Sequence, residues 1–343
     1  MTAGPGSGED GPGSGAESAG APPRRLGLLD ARYGRRGRRP REEYPYAVGD
    51  RIAGDLTVTG HLATGRSCHL YQVWSARDWC AFTCKIVAPS QGGSRQVLGA
   101  LRREARILRA VAHPNIVRFH GIGDHDGLPY VLLEYLDGPT LFDVLARQPK
   151  RRLEVTDAVR AAVHVGAALY HLHRHGFVHL DLKPANMLLR DGVPVLIDLD
   201  SARRADPERR PSRTIGTAPY MAPEQARREP LGPAADVYGL GALLYELLTG
   251  RWVYEHIYEE PQADGRPRQF PQADNEPAPP PTRFRAGIPE ALEAVVMEAL
   301  QTDPARRYPS MHPLLLALVA QLPDPVSLWP EGVRVERRQQ PRE

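Results

Sequence analysis

The stretch that decides the fold of this chain reads His179-Leu180-Asp181-Leu182-Lys183-Pro184-Ala185-Asn186 and is followed, after an apolar segment, by Asp198-Leu199-Asp200. Three of these side chains suit phosphoryl transfer, because Asp181 can accept the proton of a hydroxyl group, and Asn186 and Asp198 offer the oxygen ligands that magnesium prefers. A migrating phosphoryl group needs little covalent help, but it needs accurate positioning and neutralisation of charge. An acid, an amide and a second acid in this order therefore predict a magnesium-dependent phosphoryl-transfer site.

This stretch resembles the catalytic loop and the metal-binding motif of protein kinases, which read His-Arg-Asp and Asp-Phe-Gly. The resemblance covers roughly Val48 to Leu322, because further short motifs follow in the family's order: Lys85, Glu104, Ala222-Pro223-Glu224, Asp236 with Gly241, and Asp303-Pro304 with Arg307. The pattern Asp-Leu-Lys-Pro-x-Asn and the hydroxyl of Thr217 are typical of the serine/threonine branch. The chain is thus similar to the eukaryotic-like, or Hanks-type, Ser/Thr protein kinases of bacteria.

The resemblance implies transfer of the γ-phosphoryl group of ATP, bound with Mg²⁺, to Ser or Thr hydroxyls of protein substrates and of the chain itself. Asp181 would orient and deprotonate the acceptor hydroxyl, and Lys183 would neutralise charge on the γ-phosphate. Asn186 and Asp198 would hold the magnesium ion. Glu224 and Arg307 would form a buried ion pair that holds the fold.

The nucleotide site is also implied residue by residue. Lys85 would contact the α- and β-phosphates, and Glu104 would fix the flexible lysine stem in that pose. The remaining predicted contacts are Leu62, Ala63 and Gly65 in the phosphate-covering loop, Leu70, Thr83 and Leu188 around the base, and Glu134 and Leu136 in the hinge between the lobes. Taken singly, the charged residues would be interpreted as surface groups and the apolar residues as part of the core. The hinge would be interpreted as an edge strand.

Local sequence patterns predict an α+β fold: a two-lobed, protein-kinase-like fold with a small antiparallel β lobe plus one helix and a larger, mainly α-helical lobe. The predicted strands are 56–58, 70–74, 81–87, 116–120 and 130–135, and the predicted helices are 97–111, 155–175, 233–248, 289–301 and 311–322. The predicted domain spans 48–322, with lobes 48–136 and 137–322. Residues 1–47 are predicted to be a disordered segment, and 323–343 a charged tail.

The phosphate-covering loop departs most from the family. Ala63 and Cys68 replace its first and third glycines, and only Gly65 remains. A β-carbon restricts the backbone and its approach to phosphates, so we expect a lower nucleotide affinity. An ordinary hairpin without a ligand stays open as an alternative. Cys68 is either a redox-sensitive thiol above the phosphates or a small replacement for glycine.

Two further departures lie in the deciding stretch itself. Leu180 replaces an arginine that in many family members clamps a phosphorylated activation segment, which is here the stretch that carries Ser201, Ser212, Thr214 and Thr217. Leucine cannot pair with phosphate. We therefore expect activity without obligatory phosphorylation at that clamp. Asp200 replaces the glycine of the metal motif, where it either adds a carboxylate near magnesium or caps the loop.

The composition sets outer bounds on function. The 343 residues are 41% hydrophobic and 25% charged, with a net charge of +3, which predicts a soluble globular protein and argues against nucleic acid as a partner. The three cysteines lack metal-ligand spacing, which favours a reducing, cytoplasmic location. Apolar runs fall far short of the roughly 20 residues of a membrane helix, so we expect no integral membrane segment.

Three alternatives remain open. A pseudokinase that binds nucleotide or a partner without transferring phosphate is the main rival, because the glycine loop, Leu180 and Asp200 all depart from the family. The arginine-rich run Arg32–Arg41 is either a solvated linker or a contact for a partner, nucleic acid or a membrane surface. The proline-rich segment 261–281, in which Pro-Gln-Ala-Asp occurs at 261–264 and 271–274, either recruits a partner or acts as a spacer.

Overall fold

The computed structural model describes residues 44–65, 67–206, 208–259 and 270–324. The run Arg32–Arg41 and most of the predicted tail lie outside the described residues, as does the first copy of the Pro-Gln-Ala-Asp repeat. The predictions made for these segments, and the domain boundaries, therefore stay predictions. Within the described part of the chain, no helix is both long and apolar enough to cross a membrane.

The small lobe is built on one antiparallel sheet whose strands lie in the order β1-β2-β3-β4-β6-β5. The strands are β1 (Arg51–Ile52), β2 (Leu56–Thr64), β3 (Cys68–Ser75), β4 (Cys80–Val87), β5 (Phe119–His125) and β6 (Leu128–Glu134). Alternate side chains of β2, β3 and β4 form the core of this lobe, including Val58, Tyr71 and Ile86. Tyr44 and Tyr46 pack against the same core, just ahead of the predicted domain start.

Helix α1 (Arg95–Ala110) crosses the sheet, as the helical spacing of its apolar residues predicts. Its start lies two residues before the predicted one, because the Ser94 hydroxyl caps the helix by accepting from the Val97 N–H at 3.4 Å. Leu101, Ala105 and Leu108 are buried, and Glu104 is buried on the same side. The helix therefore carries one carboxylate into the interior.

The predicted strand 116–120 is wrong in position, since β5 begins only at Phe119. The apolar residues before it join the lobes instead. Ile116 forms a parallel bridge with Leu196, and the Val117 N–H donates to the Leu196 carbonyl at 2.9 Å. Burial between the lobes explains why these residues are apolar, which a strand-like pattern alone does not reveal.

The large lobe is mainly helical. Its helices are α2 (Leu141–Arg147), α3 (Val155–Arg174), α4 (Pro223–Ala226), α5 (Pro233–Thr249), α6 (Glu255–Glu259), α7 (Glu290–Ala299) and α8 (Met311–Val319). Helix α5 is buried over nearly its whole length, which fits its continuous apolar sequence. At Gly241 a β-carbon would lie 2.9 Å from the Ala299 β-carbon, so glycine allows α5 and α7 to pack closely. Helix α2 was not predicted, because its 7 residues are too few for a clear period.

Short strands complete the part of the large lobe that faces the sheet. The hairpin β8 (Met187–Arg190) and β9 (Val193–Leu196) is antiparallel, and β7 (Phe177–Val178) pairs with β10 (Arg203–Arg204). The deciding stretch of sequence lies between β7 and β8, and Asp198 follows the end of β9 after one residue, Ile197. This topology brings the acid, the amide and the second acid to one edge of the large lobe, facing the small lobe.

Candidate active site

A cavity of about 680 Å³ lies between the lobes. Most of the predicted nucleotide and metal residues line it: Leu62, Ala63, Gly65, Leu70, Thr83, Lys85, Glu134, Leu136, Asn186, Leu188 and Asp198. Its size and mixed apolar and polar lining suit a small ligand of nucleotide size. Val117, Thr140, Asp143 and Ile197 also line it and were not predicted, because no local pattern marks these residues.

Lys85 is the centre of the polar end of this cavity. Its Nζ lies 2.9 and 2.8 Å from the two carboxylate oxygens of Glu104, which is fully buried behind it and does not line the cavity. The same Nζ lies 2.9 Å from Asp200 Oδ1 and 3.3 Å from Asp198 Oδ1. The expected Lys85–Glu104 pair is therefore present. The carboxylate of Asp200 pairs with the lysine, which neither sequence-based alternative for Asp200 included.

Helix α1 is tied directly to the metal motif. The Glu104 carboxylate accepts from the Leu199 N–H at 3.3 Å, and the Arg103 guanidinium donates to the Asp200 carbonyl at 3.0 Å. The Asp200 N–H in turn donates to Asp198 Oδ1 at 3.2 Å. Neighbouring residues of one helix thus hold the segment that carries Asp198.

Three carboxylates share one ammonium group, and the pKa values of two of them, Glu104 and Asp198, shift in opposite directions. Burial raises the pKa of Glu104 well above its usual range, and the nearby Lys85 opposes this only partly. Burial also disfavours charge on Asp198, but Lys85, the Asp200 N–H and Lys183 together lower the pKa of Asp198. Burial disfavours charge on Lys85 as well, yet Asp198, Glu104 and Asp200 raise its pKa well above the usual value. Negative charge is thus favoured on Asp198, which faces the cavity.

Asp181 and Lys183 lie beside the cavity, together with Thr217 of the activation segment. Thr217 Oγ1 donates to Asp181 Oδ1 at 2.6 Å, and Lys183 Nζ lies 3.0 Å from Asp181 Oδ2 and 3.3 Å from Thr217 Oγ1. Lys183 thus neutralises the charge of the Asp181 carboxylate, and the Thr217 hydroxyl fixes the other carboxylate oxygen of Asp181. The side chain of Asp181 remains partly accessible, with 14% of its surface exposed, as a proton acceptor for an incoming group requires.

The catalytic loop is fixed by a buried histidine and a buried aspartate. His179 Nδ1 accepts from the Asp181 N–H at 3.2 Å, so its Nε2 carries the hydrogen that is donated to the Asp198 carbonyl at 2.8 Å. Asp236 accepts from the N–H groups of His179 and Leu180, both at 2.8 Å, and from His173 Nε2 at 2.8 Å. His179 therefore ties the catalytic loop to the backbone of the metal motif.

Asn186 and Asp198 form a donor set that fits magnesium. The Asn186 amide donates to the Asp181 carbonyl at 2.9 Å, which leaves its side-chain oxygen as the ligand atom. The Ile197 N–H donates to the Asn186 carbonyl at 3.0 Å, so the two ligand-bearing segments run side by side. Hard oxygen donors of this kind, supplemented by phosphate oxygens, are those that magnesium prefers.

A hydrogen bond from the Gly65 N–H to the Cys68 carbonyl, at 2.9 Å, closes the phosphate-covering loop. A β-carbon on Gly65 would lie 2.9 Å from that carbonyl oxygen, so this position requires glycine. Cys68 is 8% exposed, and burial raises the pKa of its thiol to about 12. Such a thiol is protonated near neutral pH, which favours its interpretation as a small replacement for glycine.

The side chain of Glu134 in the hinge has a structural partner. Its Oε1 accepts from the Arg118 N–H at 2.8 Å, and its Oε2 lies 2.7 Å from the Arg190 guanidinium. The carboxylate therefore ties the hinge to β8 of the large lobe. Any contact of Glu134 with a base would have to come from its backbone.

Comparison with known proteins agrees with this geometry. The protein kinase domain family matches residues 56–316, so the chain belongs to the protein kinase family. A probable serine/threonine-protein kinase of Streptomyces coelicolor is 32% identical over 295 residues, which cover 79% of this chain and 40% of that protein. The serine/threonine-protein kinase PknB of Mycolicibacterium smegmatis is 35% identical over 231 residues, which cover 60% of this chain and 33% of that protein.

The fold is shared with a solved structure, the kinase domain of PknI from Mycobacterium tuberculosis. The TM-score is 0.62 at 23% identity, and the match covers 81% of this chain and 99% of that one. The resemblance to bacterial Ser/Thr protein kinases and the two-lobed fold are thereby confirmed. The chain spans only 33–40% of the length of the curated relatives described above.

Proposed function

We propose that this protein is a Ser/Thr protein kinase that transfers the γ-phosphoryl group of ATP to hydroxyl groups of protein substrates. One observation carries this proposal: Asp181 is held by Lys183 at 3.0 Å and by the Thr217 hydroxyl at 2.6 Å, next to a cavity of nucleotide size. A carboxylate held in this way, with a lysine beside it, suits deprotonation of a hydroxyl next to a phosphate.

Each residue has a defined part in this proposal. Asp181 orients the acceptor hydroxyl and takes its proton, and Lys183 balances the charge that develops on the transferred group. Lys85 neutralises the α- and β-phosphates, and Glu104 keeps its ammonium group in the cavity. Asn186 and Asp198 would hold magnesium, which when bound neutralises phosphate charge. Leu70, Thr83 and Leu188 would enclose the base, with Leu62, Ala63 and Gly65 above the phosphates and Glu134 and Leu136 at the hinge.

Activity without phosphorylation of the activation segment is part of the proposal. Leu180 is 4% exposed and carries no charge, so it cannot recruit a phosphate. Replacing Ser201, Ser212 and Thr214 together by alanine, while keeping Thr217, should leave phosphate transfer within about threefold of wild type. Loss of activity in that triple variant would contradict this part of the proposal.

The direct test is transfer of labelled γ-phosphate from Mg-ATP to the protein itself and to a basic protein substrate. Wild type is compared with Asp181→Asn and Asp198→Asn, which keep the shape of each side chain and remove one charge. Label in wild type and at least about a hundredfold less in both variants would support the proposal. Phosphoamino-acid analysis of the product should give phosphoserine or phosphothreonine.

The second candidate is a pseudokinase that binds nucleotide or a partner and transfers nothing. Two observations favour it: Ala63 and Cys68 stand in the loop above the cavity, and Asp200 already pairs with Lys85 at 2.9 Å. No transfer by folded wild-type protein, together with nucleotide binding measured by calorimetry, would establish this alternative. A cytoplasmic location is also proposed, and the three free thiols support it.

A further inference from the structure

The catalytic loop and the activation segment are joined by one buried amide. Gln225 of helix α4 is 2% exposed, and its Nε2 donates to the Leu180 carbonyl at 2.8 Å and to the Ile215 carbonyl at 2.9 Å. Its Oε1 accepts from the Ala222 N–H at 3.0 Å. Both amide hydrogens and the oxygen are therefore used.

The two acceptors lie in different parts of the site. Leu180 directly precedes Asp181, and Ile215 lies two residues before Thr217, the hydroxyl that donates to Asp181. Gln225 thus connects the backbone on either side of the Asp181–Thr217 hydrogen bond. The two hydrogen bonds from Gln225 Nε2 fix where the two segments meet.

The backbone around this amide has little freedom to move. Leu180 has a φ of 68°, in the left-handed region that leucine rarely adopts, and its N–H donates to Asp236 at 2.8 Å. The Leu180 backbone is therefore hydrogen-bonded on both sides, to Asp236 and to Gln225. Gly216 has a φ of +108°, and a β-carbon there would lie 2.6 Å from the Leu180 carbonyl and 2.9 Å from Gln225 Nε2. The two segments cross too closely for any side chain at 216.

We propose that Gln225 is a positioning residue that orders the activation segment against the catalytic loop through uncharged hydrogen bonds. It supplies the link that a phosphate and an arginine would otherwise supply, because Leu180 cannot form one. The effect on transfer rests on the proposed function, whereas the ordering of the segment does not. Only an amide can donate two hydrogen bonds and accept a third here, so neither a carboxylate nor an apolar side chain replaces it.

The test compares Gln225→Met and Gln225→Glu with wild type, after phosphatase treatment of all proteins. Methionine keeps the shape of the side chain and leaves the Leu180 and Ile215 carbonyls without their donor, whereas glutamate places an acceptor opposite these two carbonyls. We expect the turnover rate to fall at least about tenfold in both variants. The dissociation constant for ATP should stay within about twofold, because Gln225 does not line the cavity.

A second readout follows the order of the activation segment without requiring activity. Arg209 and Arg213 are trypsin sites in this segment, whereas trypsin does not cleave after Arg210 because Pro211 follows it. We expect cleavage there to be at least about tenfold faster in Gln225→Met than in wild type, at a temperature where both are folded. If wild type transfers no phosphate, the proposed function fails, and proteolysis still decides the role of Gln225.

Gln272→Met is the matched control. Gln272 is 1% exposed, and its Nε2 donates to the carbonyls of Ala218 and Met221 at 3.0 Å each, within one segment. The control therefore removes the same kind of hydrogen bonds without separating the catalytic loop from Ile215. Equal cleavage rates in Gln225→Met and wild type would overturn the proposal. Equal effects of Gln225→Met and Gln272→Met on cleavage and turnover would also overturn it.

Discussion

Breaking the ion pair between Glu224 and Arg307 by removing one partner should be among the most destabilising single changes in the large lobe. Arg307 is 3% exposed and Glu224 5% exposed, and the guanidinium nitrogens lie 2.7 and 2.8 Å from the two carboxylate oxygens. The remaining donors of Arg307 reach the carbonyls of Gln301, Ala234 and Thr302 at 2.7, 2.8 and 3.2 Å. All the donors of the guanidinium are thereby used.

Replacing Arg307 by alanine leaves the buried Glu224 carboxylate and three backbone carbonyls without their hydrogen-bond donor. Removing one partner of a buried pair costs about 3–5 kcal/mol of the free energy of unfolding. At about 2 °C per kcal/mol for a domain of this size, we expect the Tm to fall by about 6–10 °C. The double variant Glu224→Leu with Arg307→Ala should lose less than the sum of the two single losses, because no charge is then stranded.

The assay is thermal unfolding followed by circular dichroism, with urea midpoints as a second measure. Arg77→Ala is the control, because Arg77 pairs with Asp78 at 3.5 Å on the surface, where 80% of its side chain is exposed. That variant should change the Tm by less than about 1 °C. A loss in Arg307→Ala no larger than in the control would refute the reasoning.

Three further predictions concern charged and titratable groups of the cleft and the large lobe. Asp200→Asn removes a carboxylate that competes with phosphates for Lys85. Calorimetric titration with ADP in EDTA should therefore show binding several-fold tighter than in wild type. Equal or weaker binding would contradict this prediction. Burial opposes charge on Asp236, but hydrogen bonds from His173 and from backbone N–H groups lower its pKa overall. Its contribution to stability is therefore present above about pH 4 and lost as the pH falls through the lowered pKa, so urea midpoints between pH 7 and pH 3 should fall more steeply in wild type than in Asp236→Asn. Burial, then His175 and Arg174, lower the pKa of His171, so its neutral form contributes stability above about pH 6.5 that is lost on acidification. In His171→Phe the urea midpoint should change less between pH 7 and pH 5 than in wild type. An unchanged dependence of the midpoint on pH would show that His171 is not the titrating group.

Much of the candidate site could be predicted because its chemistry is carried by residue type and order. Asp181, Asn186 and Asp198 are recognisable since phosphoryl transfer needs these groups at a characteristic spacing, and the structure brings them to one edge of the large lobe. Lys85 and Glu104 were less obvious, since each taken alone resembles a surface charge. Their pairing at 2.8 Å depends on a strand and a helix packing together.

The rest could not be predicted, because it depends on where distant backbone segments pass. Asp200 was read as a metal ligand or a loop cap, yet its partner is Lys85, 115 residues earlier. Gln225 was not predicted, because its partners are the backbone carbonyl groups of Leu180 and Ile215, which leave no trace in the sequence.

The amino-acid sequence by itself therefore determined the family, the two lobes, the long amphipathic helices and the set of chemical groups in the cleft. These follow from local periodicity and from side-chain chemistry in a given order. Only the tertiary structure decided which carboxylates share Lys85, how Ile116 and Val117 join the lobes, and how an amide holds the activation segment. Burial and hydrogen bonding to backbone atoms act between segments far apart in the chain, and they exist only once the chain has folded.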